Sequence, residues 1–142
     1  MSVEAVQRAL AAEHAAVWTY GLVSAFIDEQ AAAVAEGADA HRARRDATER
    51  WLRDAGATPQ PPAVAYLPPR PVDGAPTAMA ALVSVETDAC VAWRGVLDRT
   101  EDTTVRTAAL DALTTSAVRA TRWRRLAGIT PASIALPGTA AG

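Results

Sequence analysis

Gly56 to Ala75 reads GATPQPPAVAYLPPRPVDGA, and the arrangement of everything on either side depends on it. Its prolines remove backbone donors and favour extended conformations, so the segment is a long ordered connection rather than a helix. At ~3.1 Å per residue it is long enough to run back along a helix of about twenty-five residues rising 1.5 Å each. Tyr66 and Leu67 are expected to pin it to the surface it crosses.

Upstream, Ser2 is an N-cap with Glu4 in the first turn. From there Val3, Val6, Leu10, Glu13, Val17, Tyr20, Ser24 and Ile27 trace one helical face. A break near Asp28, which then caps helix 2, makes the helices similar in length, as a bundle prefers. The competing break at Gly37 would give one very long helix; placed inside helix 2 instead, Gly37 costs roughly 1 kcal/mol relative to Ala. Helix 2 ends at Gly56. Downstream, helix 3 runs from Pro76 or Thr77 to Arg99, Pro76 suiting a first-turn position. TEDTT (residues 100–104) breaks the chain, Asp102 or Thr103 caps helix 4, and Gly128 stops it after Leu126. Residues 1–128 thus read as one bundle and 129–142 as a tail that touches it through Ile129 and Ile134.

Composition agrees with an all-α fold. Alanine dominates an apolar half in which aromatics make up only 5% of the 142 residues, which suits closely approaching helices better than a sheet. A single Cys excludes an internal disulfide. There is no apolar run of membrane-spanning length and no secretory pattern at MSVEAVQRAL, so the reading is a cytoplasmic protein without a membrane partner. The formal net charge is −2 and arginines are scattered through all the helices, so nucleic acid is not an expected partner.

Short link, long crossover, short link is the connection pattern of a ferritin-like four-helix bundle. It makes helices 1 and 2 antiparallel, 2 and 3 parallel, and 3 and 4 antiparallel. These directions bring several polar groups to one height. Glu13 sits mid-stripe in helix 1, where a carboxylate needs a partner. Reflection about Asp28 puts His41 and Arg45 opposite it. The helix 3 stripe Met79, Leu82, Glu86, Ala89, Trp93, Val96 contributes Glu86, and the helix 4 stripe Ala109, Ala112, Ser116, Arg119, Trp123, Leu126 contributes Ser116 and Arg119.

In di-iron carboxylate bundles this layer is the metal site, built from a Glu on each of two helices and Glu-x-x-His on each of the other two. Glu13 and Glu86 stand where the single carboxylates belong, and His41 where one histidine belongs. Ala38, Ser116 and Arg119 occupy the remaining ligand positions, so both bridging carboxylates are missing. Arg cannot deprotonate to bind metal, and Arg119 is expected to replace the metal's charge in a buried salt-bridge layer.

EHAAVWTYG (13–21), AHRARRDATERWLRDAGATP (40–59), the Tyr66-bearing Pro-rich connection, VETDACVAW (85–93) and AVRATRWRRLAG (117–128) together resemble the small alanine-rich actinobacterial ferritin-like proteins of unknown function. The resemblance extends to Gly128 and implies the ferritin-like fold; it brings no established activity.

Other features read as structural. Trp18, Trp51, Trp93 and Trp123 fall one per helix and read as packing that offsets the alanine-rich seams. Arg42, Arg44, Arg50 and Arg53 with Asp46, Glu49 and Asp54 read as a solvated mixed-charge face. His14 points about 100° away from Glu13 and reads as a flank residue. Cys90 reads as a small core residue. Two functions follow. One is a bundle with a degenerate di-iron site and no catalytic residues, a structural or interaction module dimerising through an alanine-rich helical face. The alternative is a single-metal protein or oxidoreductase holding Fe or Mn through Glu13, His41 and Glu86, with a coordination position left open.

Overall fold

The computed structural model describes residues 2–139 and contains four α-helices and, among these residues, no strand. They are α1 (Val3–Val23), α2 (Ala31–Asp54), α3 (Ala75–Leu97) and α4 (Thr103–Ala127). The helix ends follow the capping residues. Ser2 accepts a hydrogen bond from the Ala5 amide and Asp102 one from the Val105 amide. Gly56 and Gly128 take positive φ values of 78° and 71°, which glycine adopts without steric cost.

The break between α1 and α2 spans residues 24–30. It lies near Asp28, but α1 stops four residues short of Ile27, which is buried within the turn. The N-cap of α2 is Gln30 without a side-chain bond, so Asp28 does not cap it. Gly37 is helical, and a Cβ there would stand 2.3 Å from Cε1 of Tyr20. The missing side chain is thus where the Tyr20 ring lies against α2. Gly37→Ala should lower stability by about 1–3 kcal/mol through overpacking, outweighing the roughly 1 kcal/mol gained in helix propensity. A thermal melt checks this; a raised Tm would refute the close-packing argument.

Facing residues fix the helix directions. Glu13 meets His41 and Tyr20 meets Gly37, so α1 and α2 are antiparallel; Glu86 meets Ser116 and Cys90 meets Leu113, so α3 and α4 are too. Residues 57–74 contain no helix and run along α1: Gln7 bonds to the Thr58 carbonyl and the Gln60 amide, His14 to the Gln60 carbonyl, and Trp18 packs on Tyr66 at 5.9 Å. Tyr66 therefore pins the connection. Leu67 does not, being 98% exposed, because it projects away from the α1 face that Tyr66 covers.

Helix packing is close along three sides of the bundle, α1–α2, α1–α3 and α3–α4. The fourth side, between α2 and α4, is bridged by long side chains. Two apolar clusters fill the interior. One is built around Leu10, Leu52, Trp93 and Val96, the other around Tyr20, Ile27, Leu82 and Trp123. The polar layer lies between them. Beyond α4, Ile134 and Pro137 to Thr139 lie over Cys90 and Arg124.

Candidate functional site

At the centre of the bundle His41 lies between two carboxylates. Its Nδ1 is 2.5 Å from Glu13 Oε2 and its Nε2 is 2.5 Å from Glu86 Oε1. All three side chains are fully buried. Burial works against a charged imidazole, but the hydrogen bonds and charges of Glu13 and Glu86 outweigh it and push the His41 pKa up to about 9. At neutral pH both ring nitrogens therefore carry protons and both donate. Burial likewise favours the neutral acid at Glu13, yet His41, Arg44 and Trp93 prevail and hold its carboxyl below the ordinary range.

Each carboxylate is fully engaged. Glu13 Oε1 accepts from Arg44 Nη1 at 3.1 Å and from Trp93 Nε1 at 2.8 Å. Glu86 Oε1 also accepts from Ser116 Oγ at 3.2 Å, and its Oε2 accepts from the Tyr20 hydroxyl at 3.2 Å. Trp123 Nε1 donates to that hydroxyl at 3.0 Å. Arg44 reaches across to α4, donating to Ser116 Oγ at 3.0 Å and Thr115 Oγ1 at 2.6 Å. The formal charges of Glu13, Glu86, His41⁺ and Arg44 sum to zero. A network satisfied in this way avoids the cost of orphaned buried charge.

Glu13, His41, Glu86 and Ser116 meet in this layer, while the two arginines expected beside them lie elsewhere. Arg45 turns outward to Asp46, with its Nε 2.9 Å from the carboxylate, on the side of α2 facing His14 and Tyr66. Its neighbour Arg44, expected on the solvated face, enters instead. The cause is helix phase: with His41 pointing at the bundle axis, the residue three positions on faces α4 and the residue four positions on faces the α1 edge. Arg119 is displaced for the same kind of reason. The buried path along α4 goes from Ser116 through Ala120 to Trp123, so Arg119 falls on the flank toward α2, 3.8 Å from Glu36.

Comparison with known proteins fits this picture of a bundle without an assigned chemistry. A sequence model for a family described as a domain of unknown function, DUF4439, matches residues 5–141. The chain belongs to the DUF4439 family. A solved structure of similar fold is that of a conserved hypothetical protein, rv2844, from Mycobacterium tuberculosis. It shares 40% identity at a TM-score of 0.83, over 87% of this chain and 94% of that one. No curated protein matches the chain.

In this DUF4439 chain the site contains five groups that sequence reasoning left out: Arg44, Thr115, the indoles of Trp93 and Trp123, and Tyr20, which relays between Trp123 and Glu86. Trp93 lay on the Glu86 stripe and Tyr20 on the Glu13 stripe, each two helical turns from the carboxylate of its stripe. The available signal was that a buried indole N–H or phenol needs a partner. His14 is buried at the connection, bonded to the Gln60 carbonyl. Among the described residues no group of three or more His, Cys, Asp or Glu is arranged to hold a metal ion, and no helix is long and apolar enough to cross a membrane.

The fold that the sequence resembles implies a di-iron centre, and the residues present do not fit one. Ala38 and Ser116 supply no bridging carboxylate, both His41 nitrogens carry protons that bond to glutamates, and the Arg44 guanidinium occupies Glu13.

Proposed function

We propose that this chain is a ferritin-like bundle whose di-iron layer has been replaced by a charge-neutral hydrogen-bonded network, and that it acts as a non-catalytic structural or interaction module. The observation that carries the reading is the doubly bonded His41. An imidazolium with both N–H groups engaged has no lone pair to offer a metal, and a pKa pushed up to about 9 keeps it so at neutral pH. Arg44 supplies permanent positive charge within hydrogen-bonding reach of Glu13, which repels any cation entering the low-dielectric layer.

Metal analysis tests this. Purified protein incubated anaerobically with excess Fe(II) should retain far less than the two irons per chain of a di-iron bundle, and show no ferroxidase turnover. Retention of about two tightly bound irons, abolished by Glu13→Ala or Glu86→Ala, would overturn the reading.

A further inference from the structure

The open side between α2 and α4 contains a cavity of about 430 Å³, a size typical of small-molecule sites. Three arginines of α4 line it, Arg119, Arg122 and Arg125, together with Trp123 and Leu126; Glu36 of α2 is the only carboxylate on the wall. The α4 wall of the cavity thus interleaves cationic and apolar side chains, and the α2 wall adds Ala33 and Glu36. Leu126 is 51% exposed in it, an apolar side chain left in contact with solvent beside three positive charges.

Arg119 is the distinctive member. Its Nη1 is buried with no hydrogen-bond partner, and its Nη2 stands 3.8 Å from a Glu36 carboxylate that is itself 65% exposed. Two other arginines that are buried or half-buried are engaged, Arg44 by Glu13, Ser116 and Thr115, and Arg124 by Thr87 and Ala132, while Arg122 and Arg125 on the cavity wall are exposed. A guanidinium held in a groove with donors to spare is matched by an anion, which it can grip through parallel N–H groups.

We infer that the α2/α4 cavity binds a small amphipathic organic acid, its carboxylate taken by Arg119 with Arg122 and Arg125 and its apolar body lying against Trp123 and Leu126. This goes beyond the proposed function and is independent of it, since iron retention reads the central layer and acid binding reads the groove.

Isothermal titration calorimetry of the full chain with decanoate below its micelle concentration, decan-1-ol and inorganic phosphate separates the terms. Decanoate should bind, with the alcohol and phosphate each weaker by about tenfold or more, because each lacks half of the match. Arg119→Met should weaken decanoate about tenfold, whereas Arg94→Met, which alters an arginine paired with Asp98 on α3, should leave it unchanged. Should Arg119→Met fail to give a native circular dichroism spectrum, the exposed pair Arg122→Met and Arg125→Met should show the same loss. Absence of decanoate binding, equal binding of the alcohol or of phosphate, or indifference to these substitutions would overturn the assignment.

Discussion

His41→Leu should lower the free energy of unfolding by about 3–5 kcal/mol, the range expected when one partner is removed from a buried ion pair. The substitution removes a proton donor from each of two glutamates and takes the layer from a formal charge of zero to −1. Glu86 then keeps only the Ser116 and Tyr20 hydroxyls. Adding Glu86→Leu restores neutrality, because Glu13 is left with Arg44 and Trp93, while Ser116 still accepts from Arg44 and the Tyr20 hydroxyl from Trp123. The double variant should therefore be more stable than His41→Leu alone, although it carries one more substitution. Urea titrations at pH 6 decide it: a double variant as unstable as the single one would show that charge balance does not govern the layer.

The same histidine sets the dependence of stability on pH. Its folded-state pKa of about 9 lies above the ordinary 6.5, so its contribution is fully present below pH 6.5 and is lost as pH rises toward 9. The corresponding loss is about 3 kcal/mol. Glu13 acts at the other limb. Its pKa is held below the ordinary 4.5, so its contribution is present above pH 4.5 and is lost as pH falls through the lowered value. Maximum stability is expected between these limits. Burial first, then the nearby Glu86 charge, push the Cys90 pKa from 9.0 to about 11, which continues the decline above pH 9. Denaturant midpoints measured from pH 4 to 10 should show the slope between 6.5 and 9 in the native chain and not in His41→Leu. A slope that survives the substitution would assign it to another group.

The architecture was legible because its signals are local and strong. Ser2, Gly56, Asp102 and Gly128 end helices by capping chemistry, and the proline-rich run has no helical alternative. Core position was legible for Glu13, His41, Glu86 and Ser116, each of which lies on an apolar stripe or at the same height. Choosing between adjacent residues was harder. Arg44 and Arg45 differ by 100° around α2, and only the rotation of the packed helix selects the one that enters. Arg119 illustrates the same limit on α4, where steps of three and of four residues from Ser116 both give plausible stripes and the packed helix follows the step to Ala120. The roles of Trp93 and Trp123 depend on where an indole N–H points, which periodicity does not encode.

The open fourth side gives the central layer a mechanical role. α2 buries few apolar side chains, Val34, Ala38 and Leu52 among them, and its close helix packing is with α1 alone. Apart from Leu52 and the edge-on contact of Trp51 with Trp93 at the C-terminal end of α2, its attachments to the other two helices are mainly polar, through His41 to Glu86 on α3 and through Arg44 to Ser116 and Thr115 on α4. The network is therefore a clasp that ties α2 into the same cooperative unit as α3 and α4. Local opening is easiest where apolar contact is sparse, so loosening the clasp uncouples α2 from the rest. In the His41→Leu titration this is read as a shallower transition as well as an earlier one, because less surface is then exposed in a single step.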